Sequence, residues 1–178
     1  MISNMFSKSF KSLFFLLLFV GFSSSFAQAQ APVNIALKKP ATQSSDYGGA
    51  AGRANDGNSN PNWNGNSINH TNNGPNEFWM VNLQGNFAIT GIRITNRADD
   101  AWNKYAERIV GATVQVLDKA GQVNWSAPIK SNVSNGSIIG FKVPKGIVGS
   151  FVRVLNKPNQ YLNLAEVEVF GVAGGALK

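Results

Sequence analysis

The chain has 178 residues, 43% of them hydrophobic, a formal net charge of +7 and no cysteine. That length suits one ordinary domain with its own core. The absence of thiols excludes a disulfide scaffold, and one histidine with no cysteine makes zinc a poor fit.

The first segment is expected to be a secretory signal and not part of the fold. Lys8 and Lys11 give a positive start, Ser12 to Phe26 is rich in Leu and Phe, and Ala27-Gln28-Ala29 offers small residues at cleavage spacing. The run is too short and wrongly flanked for a stable span, although an uncleaved N-terminal anchor is the alternative. Cleavage after Ala29 would remove two lysines and leave Gln30 to Lys178 with a net charge of +5. The mature chain holds no second long apolar run, so it is expected to be soluble, without a transmembrane segment, and secreted, periplasmic or at the cell surface. Its modest basic balance suits an acidic polysaccharide or a cell surface. Nucleic acid is not expected, because Lys and Arg form no run and export argues against it.

Helical periodicity is nearly absent from the remainder. Short runs of Val, Ile, Thr and aromatics alternate with Gly, Asn and Pro clusters, which predicts an all-β antiparallel sandwich. The expected strands are Glu77–Leu83, Ala88–Thr95, Ile109–Leu117, Gln122–Trp125, Ile138–Val143, Phe151–Asn156 and Glu166–Phe170. Asp118-Lys119-Ala120-Gly121 reads as a hairpin turn. Gly48 to Asn76 reads as a long polar loop, rich in Asn and Gly, of a length that is usually functional or disordered. One domain is expected from residue 30 to 171, with 172–178 a short flexible tail.

The one histidine, His70, lies in that loop. Arg97 and Asp99 follow directly on an expected strand, and Lys104 and Arg108 come next. These residue types suit a saccharide. Arg presents a planar fork of donors to two adjacent oxygens, and neutral His gives one donor or acceptor in a fixed direction. An Asp beside the Arg holds the fork in place, which lowers the entropy lost on binding. Trp63 and Trp102 could pack the apolar face of a sugar or could equally be core residues. The remaining acids form no catalytic pair of the kind glycoside hydrolysis uses, and no nucleophile or phosphate motif is present. A non-enzymatic binding protein is therefore expected.

The spacing from His70 through Arg97-Ala98-Asp99 to Lys104 resembles the fucose-binding motif of the F-type lectins, or fucolectins. Asn34-Ile35-Ala36, Ala54-Asn55-Asp56-Gly57-Asn58, Phe78-Trp79-Met80-Val81-Asn82-Leu83 and Leu164-Ala165-Glu166-Val167-Glu168-Val169 resemble family landmarks in family order. The resemblance covers about residues 33 to 171. Its outer pattern is shared with the discoidin and coagulation-factor C-domain superfamily, so it implies a jelly-roll sandwich of the galactose-binding-domain-like kind. It also implies that His70, Arg97 and a later cation bind a terminal fucose, with Asp99 orienting the bases. By spacing the later cation is Lys104; by context it is Arg108. Many relatives carry adjacent cysteines where this chain has Asp100-Ala101, so the apolar platform must come from elsewhere. The family carries a structural calcium, and the resemblance implies Asp56 and Glu166 as carboxylate ligands. Carbonyls of Arg53, Asn58 and Ala165 would join them, with the hydroxyl and carbonyl of Ser67. Asp-Gly-Asn alone would read as a plain turn. The implied partners are fucosylated glycans, and a homo-oligomer would raise avidity. The competing reading is a discoidin-like adhesion or structural module that binds protein or anionic polysaccharide surfaces.

Overall fold

The computed structural model describes residues 31–99 and 104–173. The expected signal segment, Asp100, Ala101, Trp102 and residues 174–178 lie outside them. Among the described residues nine strands run in chain order: β1 Val33–Asn34, β2 Ala41–Gln43, β3 Asn69–His70, β4 Phe78–Asn96, β5 Thr113–Leu117, β6 Val123–Pro128, β7 Ile138–Lys142, β8 Val148–Leu155 and β9 Asn163–Ala173. Every pairing is antiparallel. The regular helical turns among the described residues are short 3₁₀ segments at Ala51–Asn55, Trp63–Gly65 and Ala106–Ile109. The fold is an all-β sandwich. Among the described residues no helix is long and apolar enough to cross a membrane.

β4 organises the sandwich because it belongs to both layers. Its first half pairs with β2 and β8, and its second half with β7 and β9. Two separate strands are expected from the sequence, Glu77–Leu83 and Ala88–Thr95; the structure has one strand of 19 residues. The register shifts between Asn82 and Phe87, where Gln84 has a φ of 59° and its N–H donates to Asn82 Oδ1 at 2.8 Å. The Gly/Asn-rich stretch is thus a bulge that turns the strand from one layer into the other. Alternate residues point inward. Trp79, Val81 and Leu83 of the first half meet Val152 and Val154 of β8, Ile92 and Ile94 of the second half, and Val167 and Val169 of β9, in one buried cluster.

Other expectations shift at their edges. Ile109 is not in a strand: it ends a 3₁₀ turn, and Gly111, at a φ of 88°, redirects the chain before β5 begins at Thr113. β6 runs on to Pro128, which an edge strand tolerates because no neighbour needs its missing N–H. The Asp118–Gly121 turn forms as expected, closed by the Asp118 N–H on Gln122 O at 2.9 Å. The expected tail is wrong at its start. Val172 pairs with Ala88 and Ala173 with Phe87, so β9 continues to Ala173.

The segment Gly48 to Asn76 is not a structureless loop. It contains two 3₁₀ turns and β3, and Ile68, Asn69 and Thr71 are fully buried. β3 adds to the start of β9 in the register Asn69↔Leu164 and His70↔Asn163. On its other side His70 bridges to Gly49, with the His70 N–H on Gly49 O at 2.8 Å. A Cβ on Gly49 would lie 2.5 Å from the Ile68 carbonyl oxygen and 2.8 Å from the His70 nitrogen, so only glycine permits this approach. Gly49→Ala is therefore expected to destabilise the protein by about 1–3 kcal/mol, read as a lowered midpoint in chemical denaturation; an unchanged midpoint would show that the close approach is not needed.

Candidate functional site

The first half of the site is built on β3. Pairing on both sides fixes the backbone of His70, and its neighbours are tied in turn. Asn69 Oδ1 accepts from Leu164 N–H at 2.8 Å, and Thr71 Oγ1 accepts from Leu162 N–H at 2.9 Å. The imidazole Nδ1 lies 2.8 Å from Thr71 O. A carbonyl only accepts, so Nδ1 carries the proton and Nε2 keeps a lone pair. Burial lowers the imidazole pKa below 6.5, and the charges of Arg97 and Arg108 push it the same way, against the opposing pull of Thr71 O and Asp46. His70 is therefore a neutral acceptor at pH 7.

Arg97 follows the last residue of β4 and is buried. Its loop is held by Ala98 N–H on Pro61 O at 2.9 Å and by Gly136 N–H on Arg97 O at 3.2 Å. The guanidinium makes a bidentate pair with Asp99, through Nε to Oδ1 and through Nη2 to Oδ2 at 2.8 Å. Burial pushes the Asp99 carboxyl up, but the bonds and charge of Arg97 outweigh it and hold the group below its usual range. Arg97 also stacks on the rings of Trp63 and Tyr105, at 5.1 and 4.4 Å.

Arg108 comes from the 3₁₀ turn Ala106–Ile109. Its Nη1 donates to Asn163 Oδ1 at 3.0 Å, and its guanidinium lies 4.4 Å from the centre of the Tyr105 ring and 4.7 Å from that of Tyr161. Asn163 is the residue opposite His70 in the β3–β9 pairing. One strand end thus supports the imidazole through its backbone and the second guanidinium through a side chain.

These groups line a cavity of about 370 Å³ together with Tyr47, Trp63, Tyr105 and Tyr161. His70, Arg97 and Arg108, which the sequence analysis singled out, meet here, and Asp99 holds Arg97. Lys104 does not line this cavity. It is exposed and lines a neighbouring groove, because the turn that begins at Tyr105 carries Arg108, and not Lys104, toward His70. Trp63 is a cavity residue and not a core one. The sequence analysis missed Tyr47, Tyr105, Tyr161 and Asn163. One signal was available: the chain has three tyrosines and one histidine, and all four converge on this cavity. The rings of Tyr47, Trp63 and Tyr161 lie 5.1 to 5.6 Å from the imidazole.

Chemically the cavity combines two fixed donor forks, one acceptor nitrogen and four aromatic rings. A hydroxyl could donate to His70 Nε2 while its oxygen accepts from a guanidinium. Among the described residues no carboxylate lines the cavity.

The F5/F8 type C family described as NedA-like, galactose-binding domain matches residues 53–154. Fucolectin-1 of Anguilla japonica is 34% identical over 145 residues, covering 76% of this chain and 79% of the eel protein. The chain belongs to the fucolectin, or F-type lectin, family. Its members here sit within the discoidin-like superfamily, as the broader match implies. Two solved structures align over most of its length. The lectin domain of lectinolysin, complexed with Lewis B antigen, is 35% identical, with a TM-score of 0.72 over 79% of this chain and 98% of that one. A Streptococcus pneumoniae fucose binding module is 31% identical, with a TM-score of 0.69 over 78% and 95%.

A second group of expected residues lies where the 3₁₀ turn Ala51–Asn55 meets β9. Glu166 is buried at 2% exposure, and its two oxygens accept from Gly57 N–H at 3.2 and 3.3 Å. Burial pushes its carboxyl up to about 7, and the charges of Asp56 and Glu168 add to the rise. Asp56, which closes the turn, holds Asn58 N–H on Oδ1 at 2.8 Å. Extending the β3–β9 register by two residues sets Ser67 opposite Glu166, and the Ser67 hydroxyl donates to Asn60 O. Ala165 is buried beside Glu166, and Arg53 sits in the turn with its guanidinium toward Gly48 O at 3.4 Å. Among the described residues no three His, Cys, Asp or Glu side chains cluster as a metal site.

The single histidine makes the central electrostatic claim directly measurable. Its imidazole proton resonances are expected to titrate with a midpoint below 6.5, with Nδ1 protonated in the neutral form; a midpoint above 6.5 by NMR would contradict the burial and charge argument.

Proposed function

We propose that this F-type lectin binds a terminal fucose in the His70–Arg97–Arg108 cavity and performs no chemistry on it. The observation that carries this reading is the neutral His70 acceptor set beside two guanidiniums that are already braced by Asp99, Asn163 and aromatic rings. A deoxyhexose presents vicinal hydroxyls and a ring oxygen to such donors, and a methyl-bearing apolar face to the aromatic rings. Pre-bracing limits the entropy lost on binding. Trp63 and the tyrosines supply the apolar surface that a cysteine pair would otherwise provide. The relatives named for fucose or Lewis B binding support the same ligand class. Glycoside hydrolysis would need carboxylates poised across the bond, and the described cavity lining has none. Isothermal titration with methyl α-fucoside is expected to show binding, and His70→Ala and Arg97→Ala are each expected to weaken it at least about tenfold while the fold survives. Wild-type affinity in either variant would rule the site out. Export through residues 1–29 would place the lectin outside the cytoplasm. One such cavity per chain would give low avidity, so a homo-oligomer would be needed for tight adhesion to glycan surfaces.

A structural calcium is part of this reading. A buried carboxylate beside a second carboxylate is a poorly compensated acid pair, and an oxygen-rich setting suits a hard cation. Asp56 and Glu166 would hold the ion with carbonyls of Arg53, Asn58 and Ala165 and with Ser67. The ion would supply charge compensation and tie the 48–76 segment to β9. The sign of the pH effect follows. The raised folded pKa of Glu166 costs nothing below the unfolded value near 4.5, and the cost grows to its full size above about 7. It amounts to at most about 3 kcal/mol. Chelated protein is therefore expected to melt lower at pH 8 than at pH 5.5, and added calcium to raise the pH 8 melting temperature. No response to chelator or calcium at pH 8 would contradict the site.

A further inference from the structure

The cavity has a neighbour. A second groove, of about 580 Å³, shares Arg108 with it and is otherwise lined by residues including Lys104, Glu107, Ser131, Lys157 and Gln160. Arg108 thus sits on the wall between the two, stacked between Tyr105 and Tyr161. The same two segments shape both spaces. The turn after Lys104 gives Tyr105 to the cavity and Glu107 to the groove, and the loop before β9 gives Tyr161 to the cavity and Lys157 and Gln160 to the groove. The groove lining holds three cations and one carboxylate, with hydroxyl and amide donors beside them. Among the described residues its walls offer no aromatic ring on which a sugar face could stack. The chemistry therefore differs from that of the cavity: it favours a negative charge over an uncharged ring.

Resting on the fucose reading of the cavity, we propose that this groove is an anion subsite, which selects glycans carrying a sulfate ester or a carboxylate on the sugar next to the terminal fucose. A terminal sugar seated against Arg108 in the cavity directs its glycosidic partner outward along the cavity wall. Arg108 lines both spaces, so an acidic group on that partner would meet the groove that Lys157 and Ser131 also line. An anion held by ammonium and guanidinium groups gains charge-assisted hydrogen bonds. The groove is open to water, so the gain is modest and sensitive to salt.

The test compares four probes on the full-length protein by isothermal titration. They are methyl α-fucoside, a neutral fucosyl-galactose disaccharide, the same disaccharide with a sulfate ester on galactose, and its galacturonate analogue. At low salt at least one acidic disaccharide is expected to bind about fivefold more tightly than the neutral one. Which acidic probe gains tells sulfate from carboxylate. The gain is expected to vanish in about 0.5 M salt, and in Lys157→Glu, whose affinity for methyl α-fucoside should match the wild type. Equal affinities for the neutral and acidic disaccharides, with methyl α-fucoside still bound, would overturn the subsite alone. A preference for acid that survives Lys157→Glu would likewise overturn it. Failure of methyl α-fucoside to bind would overturn the fucose reading and this one with it.

Discussion

The two-residue pairing of β3 with the start of β9 is the contact on which the site depends. It fixes His70 opposite Asn163 and Asn69 opposite Leu164. Through it the polar 48–76 segment becomes part of the sandwich without a disulfide. The backbone groups of this short ladder are almost all buried, so each must be bonded or carry a desolvation cost. That requirement explains the side chains around it: Asn69 and Thr71 bond back to Leu164 and Leu162, and Gln43 bonds to Gly49 O and to Asn69. The same strand end then orients Arg108 through Asn163, and sets Ser67 in register with Glu166. Cavity and acid pair are two consequences of one pairing.

Two guanidiniums in one cavity repel each other and lose water, so their closeness needs compensation. Arg97 has it from Asp99, in bidentate geometry. Both arginines share the ring of Tyr105, and each has a second ring, Trp63 or Tyr161. Contacts of this kind contribute about 0.5–2 kcal/mol each, more when desolvated. The neutral state of His70 completes the balance, because a third positive charge here would be costly. Burial, aided by the two arginine charges, holds the imidazole neutral and leaves its Nε2 as an acceptor beside two donor forks. Charge and recognition chemistry are therefore set together.

Much of this was legible in the sequence. Alternation of apolar and polar residues in Ile92–Thr95 and Val114–Val116 marked strands whose inward residues are core, and the His70, Arg97 and Asp99 pattern named the heart of the cavity. What was not legible had physical reasons. Strands of two or three residues such as β1 and β3 carry no periodicity to detect. The Asn82–Phe87 bulge carries turn residues, so it read as a gap between two strands. The order of Lys104 and Arg108 depended on a 3₁₀ turn whose geometry no spacing rule encodes. The tyrosines lie far apart in the chain, and only the fold brings them to one wall. The tail misread at Val172 and Ala173 has a similar cause: small residues near a chain end look frayed unless their pairing partners, Ala88 and Phe87, are known.

The acid pair at Asp56 and Glu166 and the cavity both draw on β9 and the segment that β3 pairs to it, so a cation that tightens one would stiffen the other. That link makes the position of a bound sugar the most informative observation. A crystal structure of the protein with methyl α-fucoside is the most direct measurement. The account predicts one sugar in the cavity, with a hydroxyl about 3 Å from His70 Nε2 and further oxygens on the guanidiniums of Arg97 and Arg108. A sugar seated elsewhere, or one in the cavity that leaves His70 Nε2 uncontacted, would contradict it.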